Sequence, residues 1–135
     1  MQLTEAEIKQ VLVTLTEQEL ISLLKVLQFT IRDLAWEYST RTGFLESEAQ
    51  ELIEKLKSFK PSGSGTLIGD LANKELLIIR QNLLEVIGGI RIEDHLLTFG
   101  ISGAGLENWF AIIDQYGEEH GFWKKDPGMP NIYGL

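Results

Sequence analysis

The sequence contains no cysteine, and its 135 residues include only three prolines and two histidines. Without cysteine, the chain has no disulfide bond, no thiolate nucleophile, no zinc ribbon and no iron-sulfur cluster. It also lacks any run of about 18 uncharged apolar residues, which is what a membrane-spanning helix needs. The first residues carry neither a basic region nor an apolar signal segment. We therefore expect a cytoplasmic protein that makes no contact with a membrane.

Basic side chains are scarce as well. Twelve Lys and Arg residues stand against twenty Asp and Glu residues, which gives a formal net charge of −8. This charge repels polyanions, so direct binding of nucleic acid is not expected. Between Ile92 and Trp123 there is no Lys or Arg, and the acidic residues in this stretch are Glu93, Asp94, Glu107, Asp114, Glu118 and Glu119. The stretch predicts an acidic surface that binds a basic protein partner.

What the sequence does contain is an internal repeat. Apolar residues over 19–34 recur with the same spacing over 75–90, which is 56 residues later, and Gly43 then matches Gly100 after a shift of one residue. Repetition of this kind indicates a structural unit that buries its apolar face against a neighbouring unit. We expect a single helical domain with copy one at about 17–60, a connector at 61–66, copy two at about 73–117 and a tail at 118–135.

Capping signals place the helices. Thr4 with Glu7, and Thr16 with Glu19, have the spacing of capping boxes. They predict a short first helix over about 5–14 and a second helix that runs to about Thr42, where Gly43 suits a left-handed end. Further helices are expected over about 46–59, from near Asn73, and over about 103–116 between a Ser102 cap and Gly117.

These patterns together predict an all-α fold. It would consist of a short N-terminal helix, two helix-turn-helix units related by a pseudo-two-fold axis, and an irregular tail anchored by Phe122, Trp123 and Tyr133. The alternative is an α+β fold with short strands around 90–101. It rests on Gly88 and Gly89, each of which costs a helix about 1 kcal/mol, and on the strand-forming residues that follow them.

The two histidines are the only candidates for catalytic or metal chemistry. His95 and His120 each follow two acidic residues, and imidazole with carboxylates can bind a divalent metal or supply a general base. Such a site requires the two histidines to meet in space. We expect instead that both lie at helix ends on the surface, with no metal, no cofactor and no catalytic residue.

Trp36 is a candidate contact residue, because it lies off the apolar seam of its predicted helix. An exposed tryptophan is typical of a binding surface, and the alternative is that Trp36 belongs to the core. We predict a non-enzymatic acidic protein-binding module, for example an inhibitor or immunity-type protein that occludes a basic partner. The alternatives are a structural homo-oligomer, such as a homodimer or assembly adaptor, and a small metal-dependent enzyme around His95 and His120.

Overall fold

A computed structural model describes residues 1–6 and 9–123. In this part of the chain, helices pack on one face of a four-stranded antiparallel sheet with the strand order β1-β2-β4-β3. The strands are β1 (Gln2–Glu5), β2 (Gln10–Thr16), β3 (Lys60–Pro61) and β4 (Thr66–Ala72). The α-helices are α1 (Glu17–Leu34), α2 (Tyr38–Thr42), α3 (Glu46–Lys57), α4 (Asn73–Leu84), α5 (His95–Phe99) and α6 (Gly103–Glu119). A 3-10 turn (Ala35–Glu37) precedes α2, and a π-helical turn (Glu85–Gly89) follows α4.

The all-α prediction is therefore wrong, and the mixed α+β class that stood as the alternative is the observed one. The strands do not lie around 90–101, however, where α5 is helical. The predicted first helix over 5–14 is replaced by parts of β1 and β2. In β2, Val11, Val13 and Leu15 are buried and alternate with half-buried residues, because successive side chains of a strand point to opposite faces. Thr4 lies in β1, and Glu7 lies outside the described residues.

The predicted connector over 61–66 is the turn of a β-hairpin. Lys60 pairs with Ile68 and Pro61 pairs with Leu67 in the antiparallel β3-β4 ladder. The Ser62 amide donates to the Thr66 carbonyl oxygen at 2.9 Å, which closes the turn. Proline has no amide hydrogen to donate, so it is suited to the outer strand β3 at the sheet edge.

The predicted cap at Thr16 is confirmed. The Glu19 amide donates to Thr16 Oγ1 at 3.1 Å, and the Thr16 amide donates to Glu19 Oε1 at 2.9 Å. The helix does not run unbroken to Thr42, because α1 ends at Leu34 and Ala35 has φ 48°. Gly43 ends α2 in the predicted left-handed conformation, with φ 83°.

The second half of the chain repeats these features with some differences. Gly100, which matches Gly43 in the repeat, ends α5 in the same left-handed conformation, with φ 76°. Asn73 is the first residue of α4 rather than its cap, and the Ala72 amide before it donates to Glu75 Oε1 at 2.7 Å. The Glu75 carboxylate therefore accepts a hydrogen bond from the amide of the residue before α4, as the Glu19 carboxylate does before α1.

The last helix has the predicted cap and a later end than predicted. The Ser102 side chain accepts a hydrogen bond from the Gly105 amide at 3.0 Å. Helix α6 continues through Gly117, the predicted end, to Glu119. Gly121, with φ 70°, is the left-handed residue that stops it, and the Phe122 amide donates to the Gly117 carbonyl oxygen at 2.7 Å. Phe122 and Trp123 pack against the core, and Tyr133 lies outside the described residues.

The sheet register gives the repeat a symmetry axis. Val13 of β2 lies opposite Gly69 of β4, and Gly69 is the residue that corresponds to Val13 in the second copy. An antiparallel pair centred on two equivalent residues has a local two-fold axis normal to the sheet between them. The outer strands follow the same rule, because Thr4 pairs with Leu12 as Lys60 pairs with Ile68. Each copy is therefore a unit of two strands followed by three helices.

Polar contacts join the two copies on the helical side. The Asn82 amide group donates to the Tyr38 hydroxyl oxygen at 2.8 Å, and burial raises the pKa of Tyr38, so its phenol stays neutral. Arg41 Nε contacts Glu85 Oε1 at 2.8 Å, and Arg41 Nη2 donates to Glu85 Oε2 at 3.0 Å. Glu85 is 8% exposed, whereas the Arg41 side chain is 40% exposed, so this two-point ion pair is partly shielded from solvent.

We expect Gly89→Ala to weaken the ion pair between the two copies, whereas Gly88→Ala should not. A Cβ atom at Gly89 would lie 2.0 Å from Glu85 Oε2 and 2.8 Å from Arg41 Nη2, and one at Gly88 would meet nothing within 4 Å. The displaced ion pair should lower the free energy of unfolding by about 1 kcal/mol, because solvent screens the exposed Arg41 side chain. Urea denaturation of the two variants measures the difference, and equal midpoints would contradict this role of Gly89.

Candidate functional site

Five of the six predicted acidic residues are exposed to solvent. Glu93 and Asp94 lie in the turn before α5, and Glu107, Glu118 and Glu119 lie on α6. We call these five residues the acidic surface. Asp94 also caps α5, because its Oδ1 accepts a hydrogen bond from the Leu97 amide at 3.0 Å.

The acidic surface follows α6 along its length. The imidazole of His95 in α5 lies against Gly103, the first residue of α6, and Glu107 comes one helical turn after Gly103. Glu118 lies on the same side of the helix as Glu107 and about 17 Å further along, at 1.5 Å per residue. Glu119 lies about 120° further around the helix from Glu107. The arrangement is an elongated strip of widely spaced carboxylates, which begins before α5 and resumes at the end of α6, rather than a pocket.

Asp114 does not belong to this surface. Arg80 Nε and Arg80 Nη2 both lie 3.0 Å from Asp114 Oδ1. Arg80 is 4% exposed, and its guanidinium carbon lies 5.3 Å from the ring centres of both Phe110 and Trp123. Asp114 is half-buried and pairs with a buried cation of α4, which sets it apart from the five exposed residues, and its role as a contact residue stays a prediction.

The two histidines have separate surroundings. His95 Nε2 lies 3.0 Å from the Val86 carbonyl oxygen, whereas His120 stacks on Tyr116 with 3.9 Å between the ring centres. Burial raises the pKa of Tyr116, so its hydroxyl stays protonated near neutral pH. Among residues 1–6 and 9–123, no group of three His, Asp or Glu side chains could hold a metal ion.

Trp36 is 86% exposed, so its alternative placement in the core is wrong. It follows Ala35, whose φ of 48° and ψ of −121° turn the chain out of α1. An open depression of about 650 Å³ adjoins the indole ring and is lined by Gln28, Ile31, Arg32, Ala35, Trp36, Glu46 and Gln50.

Sequence reasoning missed two exposed leucines close to the acidic surface. Leu96 is 59% exposed and Leu97 is 84% exposed. Both belong to α5, which begins at His95, directly after Asp94. The repeat contained the signal, because the residues of copy one at these positions are Ser39 and Thr40. At these positions copy two therefore exposes an apolar pair where copy one exposes a polar pair.

Comparison with known proteins gives no further assignment: the chain matches no protein-family model, no curated protein and no solved structure. In the described part of the chain, every helix is too short or too polar to cross a membrane.

Proposed function

We propose that the chain is a cytoplasmic, non-enzymatic protein-binding module whose acidic surface docks on a basic partner protein, as an inhibitor that occludes that partner would. The observation that carries the proposal is the strip of exposed carboxylates on α6 and before α5, in a stretch of sequence without Lys or Arg. A field of one sign steers an oppositely charged protein during diffusional encounter.

The side chains of the strip support a role in association rather than in stability. Glu107 and Glu118 are exposed, as is Glu119, whose carboxylate accepts a hydrogen bond from the neighbouring Gln115 side chain at 2.9 Å. The other acidic residue of α6, Asp114, is the one that the fold uses. Exposed charges of this kind contribute little to the free energy of folding.

Reversing three charges of the strip should slow association and leave the fold intact. We expect the variant Glu107→Lys, Glu118→Lys, Glu119→Lys to associate at least tenfold more slowly at low ionic strength. The difference should shrink towards 1 M salt, where the screening length is about 3 Å. The partner is first captured from an extract of the source cell and identified by mass spectrometry, and its association rate is then measured by stopped flow.

The matched control reverses Asp33, Glu51 and Asp70, which are exposed and lie outside the strip. It changes the net charge by the same amount and should slow association much less. Equal rates for the strip variant and the unmodified protein at low salt, or a captured partner that is itself acidic, would contradict the proposal.

A further inference from the structure

Helices α2 and α5 are equivalent elements of the two copies. Each has five residues, and each ends at a left-handed glycine, Gly43 or Gly100. The Gly43 amide donates to the Ser39 carbonyl oxygen at 2.9 Å, and the Gly100 amide donates to the Leu96 carbonyl oxygen at 2.8 Å. The same hydrogen bond therefore closes both helices, and it fixes Leu96 as the counterpart of Ser39.

This equivalence shows which side chains the fold requires at these positions. Ser39 and Thr40 are exposed in α2, so a helix of this shape forms with two polar residues there. In α5 the same positions carry Leu96 and Leu97, which are 59% and 84% exposed. Exposure of two adjacent leucines has an unfavourable hydration free energy that the fold does not recover, because most of their surface contacts solvent rather than core.

The charged residues around the leucine pair indicate what kind of segment would complement it. Glu93 and Asp94, both exposed, precede the pair with His95 between them and Leu96, and Glu107 lies on the helix that α5 contacts through His95 and Gly103. Arg91, which is exposed, lies five residues before Leu96, and no other Lys or Arg follows in the sequence until Lys124. An apolar patch bordered by carboxylates complements a segment that combines aliphatic side chains with positive charges.

We propose that Leu96 and Leu97 form the apolar anchor point for a basic, leucine-bearing segment of the partner protein. The inference rests on the proposed function and adds to it the kind of segment that is bound. Carboxylates of the acidic surface contact the Lys or Arg side chains of that segment, and the leucine pair contacts its aliphatic side chains. In this arrangement charge sets the association rate, whereas apolar contact sets the lifetime of the complex.

The test uses two synthetic helical peptides of equal charge, one built from lysine and leucine and one from lysine and serine. We expect the protein to bind the lysine-leucine peptide at least tenfold more tightly in fluorescence anisotropy. The variant Leu96→Ser, Leu97→Thr, which restores the residues of copy one, should lose this preference. It should still bind the lysine-serine peptide as the unmodified protein does, and its melting temperature should be nearly unchanged, because the replaced side chains are exposed.

The reciprocal variant Ser39→Leu, Thr40→Leu is the control for non-specific adhesion, because it places the same pair on the equivalent helix, next to Arg41. It should gain no affinity for the lysine-leucine peptide. The inference is overturned if the unmodified protein binds both peptides equally, or if Leu96→Ser, Leu97→Thr keeps the preference. It is also overturned if the leucine pair proves to drive self-association in sedimentation. If the unmodified protein binds both lysine peptides equally well, this inference alone fails. If the unmodified protein binds neither peptide in a salt-sensitive way, the proposed function fails as well.

Discussion

Asp114→Ala should destabilise the protein more than any change on the acidic surface, by about 3 kcal/mol. The substitution removes a carboxylate that two guanidinium nitrogens of Arg80 contact at 3.0 Å, in surroundings where Arg80 is 4% exposed. The buried cation loses both contacts to this carboxylate and keeps others, such as the hydrogen bond from Arg80 Nη1 to Gln81 Oε1 at 2.7 Å, so its desolvation penalty is less well compensated and the single substitution is costly. Urea denaturation followed by circular dichroism measures the loss.

Glu107→Ala is the matched control for this prediction, because it removes an exposed carboxylate from the same helix. It should change the free energy of unfolding by no more than about 0.5 kcal/mol. The double variant Arg80→Leu, Asp114→Leu should recover part of the loss, since apolar replacement of both partners removes the desolvation penalty as well. If Asp114→Ala unfolds at the same urea concentration as Glu107→Ala, Asp114 is a surface residue after all.

Gly69→Val should also be strongly destabilising, by about 1 to 3 kcal/mol, even though valine favours strands. A Cβ atom at Gly69 would lie 2.3 Å from the ring of Phe59, which is 9% exposed and packed into the core. In the first copy the corresponding residues are Val13 and Leu3, which lie opposite each other in the sheet. One copy thus combines glycine with phenylalanine where the other combines valine with leucine.

The first copy therefore suggests a second substitution, Phe59→Leu, that should compensate for Gly69→Val. Phe59→Leu alone should leave a cavity and cost about 1 to 2 kcal/mol. Together with Gly69→Val it recreates the pair of the first copy, so the double variant should be more stable than the sum of the two single losses predicts, by at least about 1 kcal/mol. A double-mutant cycle measured by thermal and urea unfolding gives this coupling. Additive losses would mean that Phe59 and Gly69 do not constrain each other.

The helices were more predictable than the strands because their ends have chemical signals. Thr16 with Glu19, the glycines at 43 and 100, and Ser102 each satisfy hydrogen bonds within a few residues, and all four act in the structure as the sequence indicates. Strand pairing joins residues in separate segments of the chain, so no short motif marks which strands pair. Thr4 with Glu7 has the spacing of a capping box, yet Thr4 lies in β1, where its pairing with Leu12 of β2 decides its conformation.

The sheet was missed because its two central strands look different in sequence. Over 10–16, Val and Thr residues are frequent, which is a strand signal, but three consecutive apolar residues over 11–13 interrupt the alternation and the run ends at a helix cap. Over 66–72, Gly69 and Asp70 weaken the same pattern, and the preceding Ser and Gly residues are typical of a linker. The larger volume of Phe59 fills the space above Gly69, and such a contact cannot be read from one strand alone.

The exposure of the acidic residues was predictable from charge, except at Asp114, whose pairing with Arg80 only the structure shows. Five acidic residues are exposed, as a stretch without cations indicates. The partner of Asp114 is Arg80, which is 34 residues away in sequence, and no local pattern connects the two. The leucine pair of α5 stood within a hydrophobic pattern that is compatible with a buried strand, and it was distinguished by comparison with Ser39 and Thr40 of copy one and by its exposure in the structure.

The symmetric register of β2 and β4 has a consequence for the chain during synthesis. Until residues 66–72 leave the ribosome, one edge of β2 has no partner strand. Because the native pairing is centred on equivalent residues, β2 of one nascent chain can pair with β2 of another in the same antiparallel register, with Val13 opposite Val13. Completion of β4 therefore covers an edge of β2 that would otherwise suit pairing with a second copy of β2.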